Sequence, residues 1–131
     1  MKMLILSIIA LGFFIFYPYR VIAADISPDE LRNFIQDRNE EKKSFILIDV
    51  RTSQEHQEGY IPGTDLNLPY DQIEKLSQFV NDKDKMIILY CRSGRRSEIA
   101  KDTLIKMGYK NVINAGGVKD WVKKGYKLET K

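Results

Sequence analysis

The pattern of apolar and polar positions divides the chain into alternating helical and extended segments. Ser27-Pro28-Asp29-Glu30 is a capping box with proline at the first helical position. Leu31, Phe34 and Ile35 supply the apolar face of the helix that follows, and the pattern ends near Asn39. "SFILIDV", Ser44 to Val50, is a continuous apolar run of strand length, the kind buried on both faces of a sheet. "TSQEHQEG" predicts a short helical turn closed by Gly59, and "YIPG" a turn built on proline and glycine. "LNLP" predicts a short strand, and Asp71 a cap for a helix with Ile73, Leu76, Phe79 and Val80 on one side. Beyond the polar loop "NDKDK", "MIILY" predicts a second buried strand. From Ser97, the residues Ile99, Ala100, Thr103, Leu104 and Met107 make one helical face, stopped by Gly108. "NVIN" is a last short strand before Gly116-Gly117, and "VKDWVKKG" a final short helix ending at Gly125.

Strands separated by helices predict an α/β fold with a mostly parallel sheet covered on both faces. In such sheets ligands bind beyond the carboxyl ends of the strands. Cys91 stands at that end of "MIILY", directly before a helix. Topology alone makes it a candidate site.

The first two dozen residues follow a different pattern. Lys2, an apolar run from Met3 to about Tyr17 and small residues at Ala23 and Ala24 have the form of a cleaved secretory signal peptide over 1–24. The alternative is a retained membrane anchor, but Pro18 and Arg20 close the run short of the ~20 residues a span needs. Residues 25–131 then form one domain with one core, exported and, in a Gram-negative bacterium, periplasmic. Contact with a membrane is expected only through an uncleaved signal segment.

The chain carries a formal net charge of +3, and cleavage after Ala24 would remove Lys2 and Arg20 and leave the remainder nearly neutral. That excludes the strong basic excess of a nucleic-acid binder. One cysteine forms no internal disulfide, so Cys91 is either a buried core residue or a free working thiol. Arg92, Arg95 and Arg96, within five residues of it, argue for the working thiol.

Between strand and helix amino end, consecutive backbone N–H groups of Cys91-Arg92-Ser93-Gly94-Arg95-Arg96-Ser97 can point inward and form an anion-binding concavity. The positive end of the helix adds to the field, and Gly94 permits a backbone conformation that a side chain would oppose. A thiol in such a field loses its proton more easily, and the thiolate is the nucleophile. Arginines hold anions through charge-assisted, often bidentate hydrogen bonds. Loop length separates two chemistries. Cysteine phosphatases have five residues between cysteine and arginine, whereas four separate Cys91 from Arg96. The smaller ring suits a single sulfur atom attached to the cysteine.

"LIDVRTSQEHQEGYIPG", "CRSGRRS" and "NAGGVKDW", in that order, resemble the motifs of the rhodanese family, specifically a small exported single-domain thiosulfate sulfurtransferase. The resemblance runs from Asp25 to about Leu128. It implies a rhodanese-like, mostly parallel central sheet of about five short strands with helices on both faces. It implies that Cys91 takes the outer sulfur of thiosulfate as a persulfide and yields it to a thiophilic acceptor, cyanide or a thiol. The amides from Arg92 to Ser97 would cradle the persulfide, with Arg92 and Arg95 as substrate-anion contacts and Arg96 turned towards the fold. Three departures concern the rim. Tyr60 stands where the family commonly has histidine, Thr64 where alanine is usual, and "TDLNLP" is one residue longer than the usual spacing.

Asp49 and Arg51 end their strand at the same sheet edge as Cys91. Asp49 is expected to support the active loop, and Arg51 to form a structural ion pair, with Glu55 as candidate partner. His56, in a short polar helix, reads as a solvated surface histidine. No His, Cys or carboxylate cluster has metal-ligand spacing, so neither metal nor cofactor is expected, and a monomer is. Trp121 with Val118 and Val122 is a candidate for site lining, though core packing is the expected role, and the tail "KKGYKLETK" reads as a solvated end. The rival functions are a binding module on the same fold, a persulfide carrier serving a protein partner, and a cysteine phosphatase or arsenate reductase.

Overall fold

The structure is a computed structural model, and it describes residues 23–131. The leader expected over 1–24 lies outside the described residues except for Ala23 and Ala24. Among the described residues, four parallel strands form one sheet: β1 (Ile46–Asp49), β2 (Leu66–Asn67), β3 (Ile87–Cys91) and β4 (Val112–Gly117), in the order β2-β1-β3-β4. The helices are α1 (Pro28–Asn39), α2 (Ser53–Glu58), α3 (Arg95–Lys106) and α4 (Val118–Lys123), with a 3₁₀ helix over Tyr70–Gln78. The family pattern of about five strands is met by four, and Tyr60 and Glu129 add an isolated antiparallel bridge.

Alternation along β1 and β3 explains the two-sided burial. Ile48, Ile87 and Leu89 enter one core with Leu76, Ala100 and Leu104. Leu47, Ile88 and Tyr90 enter the other, with Leu31, Ile35 and Trp121. A strand buried on both faces has no polar side to display, which is why both read as unbroken apolar runs. Trp121 is core as expected, and its Nε1 donates to Lys127 O at 3.0 Å.

Chain order fixes where a ligand site arises. From the central pair, the chain leaves β1 towards β2 and leaves β3 towards β4. Connections therefore diverge between β1 and β3, opening a crevice beyond their carboxyl ends. Asp49 ends β1 and Cys91 ends β3.

Three local expectations need correction. Asp71 does not cap a helix: the 3₁₀ segment begins after Pro69 without a side-chain cap. Phe79 is 62% exposed, because that helix stops at Gln78 and Val80 turns inward instead. α3 begins at Arg95, two residues before Ser97, with Gly94 at its amino end, and Ile99 faces outward. The tail is mostly exposed, as expected, and is also tied down: Lys124 pairs with Asp29 at 3.0 Å and Tyr126 bonds the same carboxylate.

Candidate functional site

The site begins with a turn tight enough to point amides at one atom. Gly94 takes φ 102°, in the left-handed region that glycine enters without strain, and α3 starts at the next residue. This turn brings Gly94 N–H to 2.9 Å from Cys91 Sγ. The Ser97 hydroxyl lies 3.5 Å from the sulfur, and the amides of Ser93 and Ser97 lie near enough to favour its anionic form. Gly117 opposite is required by space rather than by backbone angle. A Cβ there would lie 2.2 Å from Arg92 O and 2.4 Å from Cys91 O.

Two influences compete over the Cys91 proton. Burial is the largest and pushes the thiol up. The Ser97 hydroxyl and the amides of Ser97, Gly94 and Ser93 together outweigh it, so the thiol sits below its ordinary value of 9.0. Hydrogen bonds to the anionic sulfur therefore activate this thiol. The arginine charges contribute less directly than their number in the sequence suggests.

Asn114, buried on β4 and absent from the sequence expectations, holds the cradle in shape. Its Nδ2 donates to Gly94 O and to Glu98 Oε1, both at 3.0 Å. Its Oδ1 accepts from Gly116 N at 2.9 Å and from Ser97 Oγ at 2.7 Å. A hydroxyl has one proton. While the thiol is neutral, the shorter contact to Asn114 holds that proton. Rotation towards Sγ becomes favourable when the sulfur is anionic. The signal for Asn114 was a polar residue inside the strand "VINAGG".

Arg96 turns towards the fold, as the resemblance implied. Its two terminal nitrogens meet Glu55 Oε1 and Oε2 at 2.8 and 2.9 Å, clamping the loop to α2. That bidentate contact holds the Glu55 carboxyl down at about 2. Glu55 is thus not the partner of Arg51. Arg51 Nε lies 2.9 Å and Nη2 2.7 Å from the Asp49 carboxylate, and Nη2 also donates to Gly59 O at 2.6 Å.

His56 is not a solvated surface residue. Its Nδ1 lies 2.9 Å from Asp49 Oδ2, and its ring stacks on Tyr60 at 4.5 Å. Asp49 is fully buried and shared between Arg51 and His56. It makes no contact with the sulfur. Its reach to the cradle runs through α2: Asp49 holds His56, and the neighbouring Glu55 holds Arg96.

Two departures at the rim find partners. Thr64 Oγ1 donates to Ile61 O at 2.6 Å and pairs with Tyr90 Oη at 2.8 Å, tying the rim loop to β3. Asn67 Nδ2 donates to the carbonyls of Asp49 and Arg51 at 3.1 and 3.0 Å. Arg92, Ser93 and Arg95 are exposed, and no ion pair among the described residues involves either arginine. Arg92 lines a cleft of about 320 Å³ together with Arg51, Gly59, Val118 and Leu128. Val118 thus lines the cleft while Val122 is half exposed at the surface.

A lowered thiol in an amide-lined concavity, at the diverging edge of a parallel sheet, has the geometry that a cysteine nucleophile handling an anion requires. Comparison with known proteins gives the family. The family model described as Rhodanese-like domain matches residues 27–124, and the chain belongs to that family. It is 40% identical over 74 residues to the thiosulfate sulfurtransferase PspE of Escherichia coli (strain K12), covering 56% of this chain and 70% of that protein. A protein of Bacillus subtilis (strain 168), YrkF, named as a sulfur carrier protein, is 40% identical over 83 residues, or 63% of this chain. The match spans 44% of that protein's length. Among solved structures, a rhodanese with anions from E. coli superposes with a TM-score of 0.59 at 34% identity, covering 67% of this chain and all of that one.

Proposed function

We propose that the chain is a sulfurtransferase that carries sulfane sulfur from thiosulfate to a thiophilic acceptor as a persulfide on Cys91. Membership of the family and relatives named for sulfur transfer support the reaction class. The observation that carries the proposal is the Gly94 amide 2.9 Å from Sγ within a ring closed at Arg96. Such a ring has inward donors for one added sulfur atom.

The chemistry follows in two displacements. The Cys91 thiolate attacks the outer sulfur of thiosulfate, a new S–S bond forms, and the old one breaks with its electron pair leaving on sulfite. Arg92 and Arg95, exposed and unpaired among the described residues, draw the dianion to the mouth. Arg96 is committed to Glu55 and fixes the loop. Amides from Arg92 to Ser97 then hold the charge on the persulfide. In the second displacement the acceptor bonds to the outer sulfur and Cys91 leaves as thiolate. No external base is needed where the thiol is already lowered.

Incubation of the protein with thiosulfate tests this reading. Intact mass is expected to show one added sulfur, and cyanide to release it as thiocyanate. Reduced Cys91 with neither signal would refute the proposal, and phosphate release from an aryl phosphate would move the site to the phosphatases. We further propose export with cleavage after Ala24. Amino-terminal sequencing of the protein from its native envelope should then begin at Asp25, and an intact Met1 would contradict it.

A further inference from the structure

We infer that the cleft beside the cradle is a subsite for the acceptor, and that it selects a small zwitterionic thiol, an amino-acid thiol with ammonium and carboxylate groups. The inference rests on the sulfur-transfer reading above and concerns its second displacement.

The cleft of about 320 Å³ falls at the small end of ligand pockets, which span roughly 300–1,000 Å³. Two of its lining residues adjoin the sulfur cradle in the chain or across the sheet. Arg92 follows Cys91 in the chain, and Val118 follows Gly117, which registers against Cys91 in the sheet. Lys119 N–H holds Arg92 O at 3.1 Å, closing that side.

Its charges sort into two kinds. Arg51 is consumed by Asp49 and Gly59 O, and Glu55 by Arg96. The two that remain, Arg92 and Glu58, are exposed and have no side-chain partner among the described residues. Val118 and Leu128 supply apolar lining. A site with one free cation, one free carboxylate and an apolar wall is matched by a ligand with one group of each sign on a short carbon skeleton. Cyanide uses neither charge. A thiol with a carboxylate alone meets Arg92 but faces Glu58 unfavourably, and an aminothiol does the reverse. Transfer is balanced: the acceptor thiolate bonds to the outer sulfur, the Sγ–S bond breaks, and its electron pair stays on Cys91.

The test separates this inference from the function beneath it. The wild-type protein is first charged with thiosulfate and checked by mass. Failure to gain sulfur would refute the sulfurtransferase reading itself. Sulfur removal is then timed with cysteine, 3-mercaptopropionate, cysteamine and 2-mercaptoethanol, each rate divided by that for 2-mercaptoethanol on the same protein. Intrinsic thiol reactivity cancels when variants are compared. Glu58→Gln should lower the relative rates of cysteine and cysteamine by about threefold, the scale of one exposed charge contact. Arg92→Gln should lower those of cysteine and 3-mercaptopropionate by a similar factor. Glu58→Lys should lower the relative rate of cysteamine and raise that of 3-mercaptopropionate compared with wild type, and added salt should compress the wild-type differences. Relative rates that are the same in wild type and in all three variants would overturn the inference.

Discussion

Two buried polar clusters flank the thiol, and they are built on opposite principles. On the β4 side, Asn114, Ser97, Gly94 and Gly116 are neutral, and each hydrogen bond ends within one bond of the sulfur cradle. On the β1 side, Asp49 and Arg51 carry charge and His56 joins them, yet these side chains bond one another and never touch the sulfur. The neutral cluster can set the proton affinity of Cys91 because its donors aim at Sγ. The charged cluster fixes α2, and through Glu55 and Arg96 it fixes the loop. Charge abundance near a reactive group is therefore a poor guide to what activates it, and donor direction is the better one.

Breaking the charged cluster should cost the most stability. Asp49→Ala leaves Arg51, 5% exposed, without its counter-ion, and removing one partner of such a pair costs about 3–5 kcal/mol. The urea midpoint should fall accordingly, and turnover should drop while the folded fraction still gains sulfur from thiosulfate. Full turnover in that variant would detach Asp49 from the site.

Asn114→Ala should be smaller in stability and larger in reactivity. Gly94 O and Gly116 N lose a buried partner, at about 1–3 kcal/mol for each group left unsatisfied. The cradle loosens, and alkylation of Cys91 at neutral pH should slow more than in Asp49→Ala. If the Asp49 variant is slowed more, the assignment of roles to the two clusters is reversed. Ser97→Ala removes a single donor and should slow neutral-pH alkylation by about tenfold, the scale of one hydrogen bond to a charged group.

The smallest effect belongs to Glu55→Gln. The Arg96–Glu55 pair is partly exposed, with side chains 26% and 29% accessible, so about 1 kcal/mol or less is expected. The folded carboxyl at about 2 lies below its ordinary value of 4.5. The pair therefore contributes fully above pH 4.5, and that contribution is lost as pH falls towards 2. The wild-type urea midpoint should fall across that window by more than that of Glu55→Gln, and parallel curves would contradict the pairing.

What could be read in the sequence was local. β1 and β3 were unbroken apolar runs, and the cysteine loop was contiguous, so strand, turn and candidate thiol emerged together. Arg96 was turned correctly because its motif carried that information. The missing parts join distant positions. Ser97 meets Asn114 across 17 residues, and Arg96 meets Glu55 across 41. His56 was misread because its helix has no fully buried residue, and only the fold brings Asp49 beneath it. Arg51 was given to Glu55 by proximity in sequence, whereas burial made Asp49 the compulsory partner.

The most direct test of an amide-activated thiol is the pH dependence of Cys91 alkylation by iodoacetamide, in the folded protein and in urea. Hydrogen bonds from Gly94, Ser93 and Ser97 predict a folded midpoint below the unfolded one, and a folded-state contribution that grows as pH rises to the ordinary thiol value of 9.0. A folded midpoint at or above the unfolded one would show that burial wins over the cradle, and would contradict the assignment of Cys91 as the nucleophile.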